Sequence, residues 1–223
     1  MYKRAFPYIF AYLVLLCAMI VLLQAYPKSE LHILLNSWHT PAMDAFFKHF
    51  TVLAEWPLYA LTLLLLMRRK VWWVAFYAAS EGVSALIVTA LKHVFHMPRP
   101  LVFFEEHIAD FVPVVEGVKL HHGLSFPSGH TATFFIFVTV TVVLLALKTK
   151  DARRTMICGR ALDLFPAVQV LLLLLAALGG YSRIYLSQHF LMDVCVGSAI
   201  GFCVPFALYP LFKARLQRVS AED

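Results

Sequence analysis

The sequence contains few charged residues and few cysteines, and each shortage excludes a class of protein. Only 14% of its 223 residues are charged, whereas 61% are hydrophobic and the mean hydropathy is +0.76. A soluble domain carries about a quarter charged residues, and a disordered chain combines high charge with low hydrophobicity. Four cysteines are too few for a scaffold held together by disulfides. The composition therefore indicates an integral membrane protein.

Six apolar segments are long enough to cross a bilayer, whose hydrocarbon core of about 30 Å requires about 20 residues of helix. They are residues 6–25, 51–67, 71–91, 131–147, 164–182 and 194–212. The first run is longer than the apolar core of a signal peptide and is not followed by a good cleavage site, so we expect it to be retained. The sequence thus predicts an all-α bundle of six transmembrane helices, forming one domain over residues 1–223.

Basic residues are divided unevenly between the two sides that these spans define. Thirteen lie on the side of the termini and six on the other, which by the positive-inside rule places both termini in the cytoplasm. Segments 26–50, 92–130 and 183–193 then face the periplasm or cell exterior from a bacterial inner membrane. The net charge of +6 does not indicate a nucleic-acid partner, because no basic stripe interleaved with aromatic residues lies between the apolar runs.

The outer segment 26–50 has the apolar spacing of two short helices separated by Pro41. We predict interfacial helices between the first two spans, forming either a packed lid over the bundle or a surface that collects lipids. The apolar positions are Leu31, Leu34, Leu35 and Trp38, followed by Met43, Phe46, Phe47 and Phe50.

Three polar stretches lie at the outer ends of the predicted spans. They are residues 92–100, 125–130 and 182–193. Short connections between antiparallel helices bring such ends together. Ionisable groups that meet at one depth of a membrane protein indicate a functional site.

The cations in these stretches predict a site for phosphate. Lys92, Arg99 and Arg183 are half of the six outer basic residues, and the planar fork of arginine suits phosphate oxygens. Ser128 and Gly129 precede a predicted helix, whose free N–H groups also attract anions. Each cation alone is explained by snorkelling to the interface, but three together favour an anion site.

Two histidines supply the residue types needed for phosphoryl transfer. His189 and Asp193 are four residues apart, so on a helix the carboxylate accepts the imidazole N–H and leaves the other nitrogen as a nucleophile. His130 is placed to act as a general acid. A zinc site that also uses His121 and His122 is the competing interpretation, but three cations beside a divalent metal disfavour it, and we predict no metal.

These residues resemble, in order and spacing, the three-part signature of the type 2 phosphatidic acid phosphatase superfamily. The matching motifs are Lys92-x6-Arg99-Pro100, Pro127-Ser128-Gly129-His130 and Ser182-Arg183-x5-His189-x3-Asp193. The family includes membrane lipid phosphatases, glucose-6-phosphatase and vanadium haloperoxidases. The haloperoxidases are soluble and the glucose-6-phosphatases are longer with more spans, so the resemblance favours the membrane lipid phosphatases of bacteria.

The resemblance also implies a role for each signature residue. His189 would be the nucleophile that forms a phosphohistidine, Asp193 would orient it, and His130 would be the acid. It implies no metal and no cofactor. Between His189 and Asp193 the sequence reads Phe190-Leu191-Met192, where many members have an aromatic residue, a proline and a small residue. This difference would alter how the last span begins. Positions that match the phosphate-binding residues are Lys92, Arg99, Ser128, Gly129 and Arg183.

The expected substrate is a phosphorylated lipid of the outer leaflet, and the sequence leaves its identity open. Undecaprenyl diphosphate, lipid A, and phosphatidylglycerol phosphate or phosphatidic acid all suit the predicted site. A phosphotransferase that uses the same site and a non-catalytic transporter of anionic lipids are the alternatives. The oligomeric state is also left open.

Several carboxylates have no assigned role. Glu55 and Glu81 lie within predicted spans, where an ionised carboxylate is costly, so each either joins a helix contact or lines a headgroup cavity. The loop 101–126 carries the acidic residues Glu105, Glu106, Asp110 and Glu116.

Overall fold

The structure, a computed structural model, describes residues 1–55, 58, 71–107, 114–148, 155–157 and 160–221. The helices are α1 (Tyr2–Ala25), α2 (Lys28–Leu35), α3 (Pro41–Phe50), α4 (Val71–Phe95), α5 (Pro100–His107), α6 (Gly129–Lys148), α7 (Phe165–Tyr185) and α8 (Leu191–Ala221). A 3₁₀ turn, Thr51–Ala54, follows α3. Strands β1 (Thr155–Ile157) and β2 (Arg160–Leu162) form a short antiparallel hairpin between α6 and α7, and the bundle itself is all-α as predicted.

Within the described ranges, five helices are long and apolar enough to cross a membrane. They are α1, the segment Val71–Glu106 that contains α4 and most of α5, and α6, α7 and α8. Each overlaps a predicted span. The remaining predicted span, 51–67, lies mostly outside the described residues, so the count of six stays a prediction. The predicted short helices of the outer segment are confirmed as α2 and α3.

Helix α6 is the centre of the bundle. Most of its side chains are buried, on every face, as expected of a helix that is apolar all round. It packs against α8, α7, α4 and α1. Two glycines of α8, Gly197 and Gly201, allow the closest approach. A Cβ atom on Gly197 would stand 2.5 Å from the carbonyl oxygen of Ser128, and one on Gly201 would collide with that of Ala132.

Helix α1 is joined to this centre by buried hydrogen bonds as well as by apolar contacts. The Tyr8 hydroxyl lies 2.8 Å from Thr139 Oγ1 of α6. The Gln169 amide of α7 accepts from Tyr8 N at 3.2 Å and donates to the Arg4 carbonyl at 3.0 Å. Since lipid offers no hydrogen-bonding partners, such polar contacts fix the position of one spanning helix against the next.

Candidate active site

The short connection between α7 and α8, residues 186–190, carries His189 and is called the catalytic loop below. Ser187 lies in the left-handed region with φ of +50°, which turns the chain sharply. The backbone N–H groups of Gln188 and His189 donate to the Arg183 carbonyl at 2.9 and 3.1 Å, closing the end of α7. The loop is therefore held by the backbone of the helix that also carries Arg183.

His189 is buried and its Nδ1 lies 3.2 Å from Asp193 Oδ2. The contact does not arise as the spacing suggested, because α8 begins at Leu191 and His189 precedes it. Asp193 instead lies in the first turn of α8, where its carboxylate accepts the N–H of Phe190 at 3.0 Å and points back to the loop. The two side chains therefore meet as expected, although by way of a loop and a helix start and not along one helix face.

A serine completes the surroundings of this pair. The Ser125 hydroxyl donates to Asp193 Oδ2 and lies 3.3 Å from His189 Nδ1. Burial lowers the pKa of His189 to about 3, despite the neighbouring carboxylate, so its imidazole is neutral at pH 7. The result is an oriented, uncharged imidazole whose Nδ1 side is occupied, which leaves Nε2 available as a nucleophile.

Two buried arginines flank the catalytic loop. Arg99 Nη1 donates to the Gln188 carbonyl at 3.0 Å, and Arg183 Nη1 donates to Thr51 Oγ1 at 2.5 Å. In both guanidinium groups Nε is buried without a hydrogen-bond partner among the described residues. In each arginine, Nη1 is thus fixed by a hydrogen bond, whereas the Nε–H group remains free to bind a ligand.

Lys92 adds a third positive charge. Its Nζ donates to the Leu124 carbonyl at 3.0 Å. Across the parts of the chain that the structure describes, no carboxylate forms an ion pair with Lys92, Arg99 or Arg183. Buried charges of one sign are costly unless a counter-charge joins them. The site therefore suits a multiply charged anion.

His130 lies in the first turn of α6, beside a cavity of about 310 Å³ that Gly129 and Glu81 also line. Its Nε2 is 3.6 Å from Glu55 Oε1. Glu55 directly follows the 3₁₀ turn and has a half-exposed side chain. Most of the span in which it was predicted lies outside the described residues, so that placement stays a prediction. Glu81 lines this cavity and also joins a contact between α4 and α6, because Thr133 Oγ1 of α6 donates to it at 3.4 Å.

The start of α6 is tied directly to α8. Ser128 N donates to the Asp193 carbonyl at 3.0 Å, and Ser128 Oγ accepts from Thr131 Oγ1 at 2.9 Å. A Cβ atom on Gly129 would make only an ordinary 3.8 Å contact with Val88. The first bond brings the second and third motifs together, and no described neighbour requires glycine at position 129.

Helices α2 and α3 brace the catalytic loop through a network of hydrogen bonds. Asn36 Nδ2 donates to Ser187 Oγ at 2.5 Å, and its Oδ1 lies 2.7 Å from His39 Nε2. His39 Nδ1 lies 2.8 Å from Asp44, which also accepts from the Tyr185 hydroxyl at 2.5 Å. This network favours the interpretation of α2 and α3 as a packed lid.

All the predicted site residues are described, but sequence reasoning missed several of their partners. Ser125 and Gln188 lie within or beside the motifs, so their position was the available signal. For Thr51 and Asn36 the sequence offered no such signal.

Of the other acidic residues, Asp110 lies outside the described residues, and the backbone carbonyl of Glu116 accepts a hydrogen bond from Lys48 at 3.0 Å. Within the described ranges no three His, Cys, Asp or Glu residues group as metal ligands.

A match to the PAP2 superfamily extends over residues 70–217 and includes every signature residue. The chain belongs to the PAP2 superfamily, which confirms the family predicted from the three motifs.

Two relatives are lipid A 4′-phosphatases. The protein of Bacteroides thetaiotaomicron is 30% identical over 181 residues, covering 78% of this chain and 71% of the relative. That of Porphyromonas gingivalis is 26% identical over 189 residues, covering 83% and 72%. Both similarities therefore extend over most of each protein.

Two crystal structures share the fold. LpxE of Aquifex aeolicus superposes with a TM-score of 0.60 at 31% identity, covering 80% of this chain and 92% of that one. The PAP2-type phosphatidylglycerolphosphate phosphatase of Bacillus subtilis gives 0.66 at 21% identity, covering 96% and 98%, and indicates the fold alone. The PAP2 match, the lipid A 4′-phosphatase of Bacteroides thetaiotaomicron and the five apolar helices together assign the chain to the membrane lipid phosphatases.

Proposed function

We propose that this protein removes a phosphate group from a phosphorylated membrane lipid through a phosphohistidine at His189. The observation that carries the proposal is a buried neutral imidazole, held at Nδ1 by Asp193 and next to cations with which no described carboxylate forms an ion pair. Neutral imidazole is the nucleophilic form, and a cluster of cations without ion-pair partners is suited to the charge of a phosphate group.

In the first step, His189 Nε2 attacks phosphorus while the bond from phosphorus to the lipid oxygen breaks. The departing oxygen takes a proton from His130 and leaves as an alcohol. The phosphorylated imidazole keeps its Nδ1 proton toward Asp193, whose negative charge stabilises the positive ring. In the second step a water gives a proton to His130 and attacks phosphorus, which breaks the N–P bond and releases inorganic phosphate.

The cations would stabilise the negative charge on the phosphoryl oxygens during both steps. Arg99 and Arg183 are fixed by Gln188 and Thr51, so their unused N–H groups are preorganised for an anion. Ser128 Oγ accepts from Thr131 and retains its own hydrogen as a donor. Gly129 leaves the cavity wall open for a close approach of phosphate.

Glu55 supports the assignment of His130 as the acid. The first step needs an imidazolium, although His130 stands near the arginine cluster. The Glu55 carboxylate, 3.6 Å from His130 Nε2, favours that charge and lies on the cavity side. Its half-exposed side chain is placed where a lipid headgroup would enter.

Among the lipids that suit the site, we propose a phosphorylated glycolipid of the lipid A type, since two relatives act on lipid A at the 4′ position. The site would face the periplasm from the inner membrane, with both termini in the cytoplasm, as the charge distribution predicts. Undecaprenyl diphosphate and phosphatidylglycerol phosphate are the next substrates to test. The reaction uses only side chains of this chain, so it should not require a metal.

The proposal is tested by measuring phosphate release from the purified protein in neutral detergent with EDTA. The panel contains lipid A, undecaprenyl diphosphate, phosphatidylglycerol phosphate and phosphatidic acid, and His189→Ala is the control. We expect release from one lipid that His189→Ala abolishes, and an acid-labile ³²P label on wild-type protein.

The alternatives give other results in the same experiment. Release that requires an added acceptor lipid would identify a phosphotransferase. Lipid binding without turnover in the wild type, unchanged in His189→Ala, would identify a transporter.

A further inference from the structure

A second pocket lies beside Phe190 of the catalytic loop and shares no lining residue with the cavity beside His130. Its volume is about 250 Å³, and the outer end of α1, helix α2 and the start of α8 enclose it. Lys28 and His32 are its polar residues on α2, four positions apart and therefore on one face. Phe190, the residue after the nucleophile, forms part of its wall. The mechanism proposed above does not use this pocket.

His32 forms the buried end of the pocket and has no partner there. Its side chain is 2% exposed, and neither ring nitrogen makes a hydrogen bond to any described residue. The ring is 5.1 Å from that of Phe190 and 5.8 Å from that of Phe104, centroid to centroid. Burial lowers the pKa of His32 to about 4, so the ring is neutral with one donor and one acceptor. An unsatisfied buried polar group is costly, which indicates that something else fills this position.

Lys28 stands at the exposed mouth of the pocket. Its Nζ lies 3.8 Å from the ring centroid of Phe190 and 4.6 Å from that of Phe103. These cation–π contacts orient the ammonium but do not neutralise it, and no described carboxylate lies within ion-pair distance. A positive charge at the mouth and a neutral donor at the base are complementary to an anion with oxygen acceptors.

The position of the pocket limits what that anion can belong to. Lys28 follows the end of α1 at Ala25 by three residues, so the pocket lies where a spanning helix leaves the hydrocarbon core. Leu23, Leu31 and Leu191 supply an apolar lining beside the polar groups. This combination of an apolar wall with a charged mouth suits a lipid headgroup.

We propose that the Lys28–His32 pocket binds an anionic phosphate-bearing lipid headgroup separate from the phosphate that is cleaved. Lys28 would pair with the charge, and the His32 N–H would donate to a phosphoryl oxygen. The headgroup has two sources with the same chemistry, a second phosphate of the substrate itself or an anionic phospholipid of the bilayer. Only the first source rests on the proposed function.

Binding is measured first, because it does not depend on turnover. Thermal unfolding of the purified protein in neutral detergent is followed while short-chain phosphatidylglycerol or phosphatidylcholine is added. We expect phosphatidylglycerol alone to raise the Tm, and Lys28→Gln to reduce this rise by more than half. Lys119→Ala, which removes an exposed outer lysine, should retain it and is the matched control. His32→Phe, which fills the pocket, should behave like Lys28→Gln.

Kinetics then separate the two sources. If the bound headgroup is a second phosphate of the substrate, Lys28→Gln should raise KM about fivefold for the bisphosphorylated lipid, which is the size expected for one partly exposed ion pair. The KM for the monophosphorylated lipid and kcat should be unchanged. If the bound headgroup belongs to a bilayer phospholipid, Lys28→Gln should raise KM equally for mono- and bisphosphorylated substrates, and only when phosphatidylglycerol is present. The proposal is overturned if Lys28→Gln and Lys119→Ala behave alike in both assays. If no lipid is hydrolysed, the proposed function fails while the Tm measurement still decides this inference.

Discussion

The close contact between α6 and α8 predicts a large effect for a single methyl group. In Gly197→Ala, the new Cβ would stand 2.5 Å from the Ser128 carbonyl oxygen and 3.3 Å from Thr131 Cβ. Ordinary contacts of this kind are 3.4 Å or longer. Because the obstacle is backbone rather than a flexible side chain, the helices must separate by about 1 Å, at a cost of about 1–3 kcal/mol.

This separation would act directly on the reaction. Ser128 N donates to the Asp193 carbonyl at 3.0 Å, so the same movement pulls His130 away from the catalytic loop. A misplacement of about 1 Å costs about a hundredfold in rate. We therefore expect kcat for phosphate release to fall about a hundredfold, with a Tm lower by several degrees.

Gly82→Ala is the matched control for this prediction. Gly82 is an exposed helical glycine of α4 whose Cβ would meet nothing within 4 Å. The same substitution there should leave kcat unchanged and stabilise the helix by up to about 1 kcal/mol. Phosphate release and Tm are measured for both variants in one detergent. If folded Gly197→Ala keeps more than half of the wild-type kcat, the displacement argument is refuted.

Four further variants test the neighbouring groups. Asn36→Ala removes the bond to Ser187 and should lower kcat about tenfold with little change in KM, since the loop is loosened while the groups that bind the substrate stay in place. Arg183→Lys should be inactive in phosphate release, because a point charge does not reproduce the guanidinium fork. His130→Ala should lose less activity on p-nitrophenyl phosphate than on lipid, because an acidic leaving group needs less protonation. Between pH 7 and pH 5, the free energy of unfolding of His32→Phe should fall by about 2 kcal/mol less than that of the wild type.

The sign of the His32 effect follows from its lowered pKa. The folded protein holds His32 neutral down to about pH 4, whereas the unfolded chain takes up a proton near its ordinary pKa of 6.5. Stability is therefore full above pH 6.5 and decreases as the pH falls toward 4. Equal pH slopes in the wild type and His32→Phe would contradict the burial of a neutral ring.

Each of the other three variants has an outcome that counts against its argument. Unchanged kcat in Asn36→Ala would show that the lid does not hold the loop. Phosphate release by Arg183→Lys at the wild-type rate would mean that a positive charge alone is sufficient at position 183. An equal loss on both substrates in His130→Ala would remove its role as the acid.

Long apolar runs made the spanning helices predictable, because a helix must cover the hydrocarbon core and can end only near charge or a turn. Helix α6 was expected at 131–147 and extends over Gly129–Lys148, and α7 was expected at 164–182 and extends over Phe165–Tyr185. The signature residues were predictable for a related reason. Charged and catalytic groups are rare beside apolar spans, so their spacing is conspicuous and matches a family.

The tertiary structure alone decided how these residues are held. Thr51 meets Arg183 across 132 positions, and Asn36 meets Ser187 across 151, and no spacing rule connects such distant positions. The start of α8 after His189 depends on Asp193 capping its own first turn, and the pairing of α6 with α8 depends on the absence of a side chain at Gly197. Local sequence determines which segments enter the membrane and which groups can react, whereas packing between helices determines which of those groups meet.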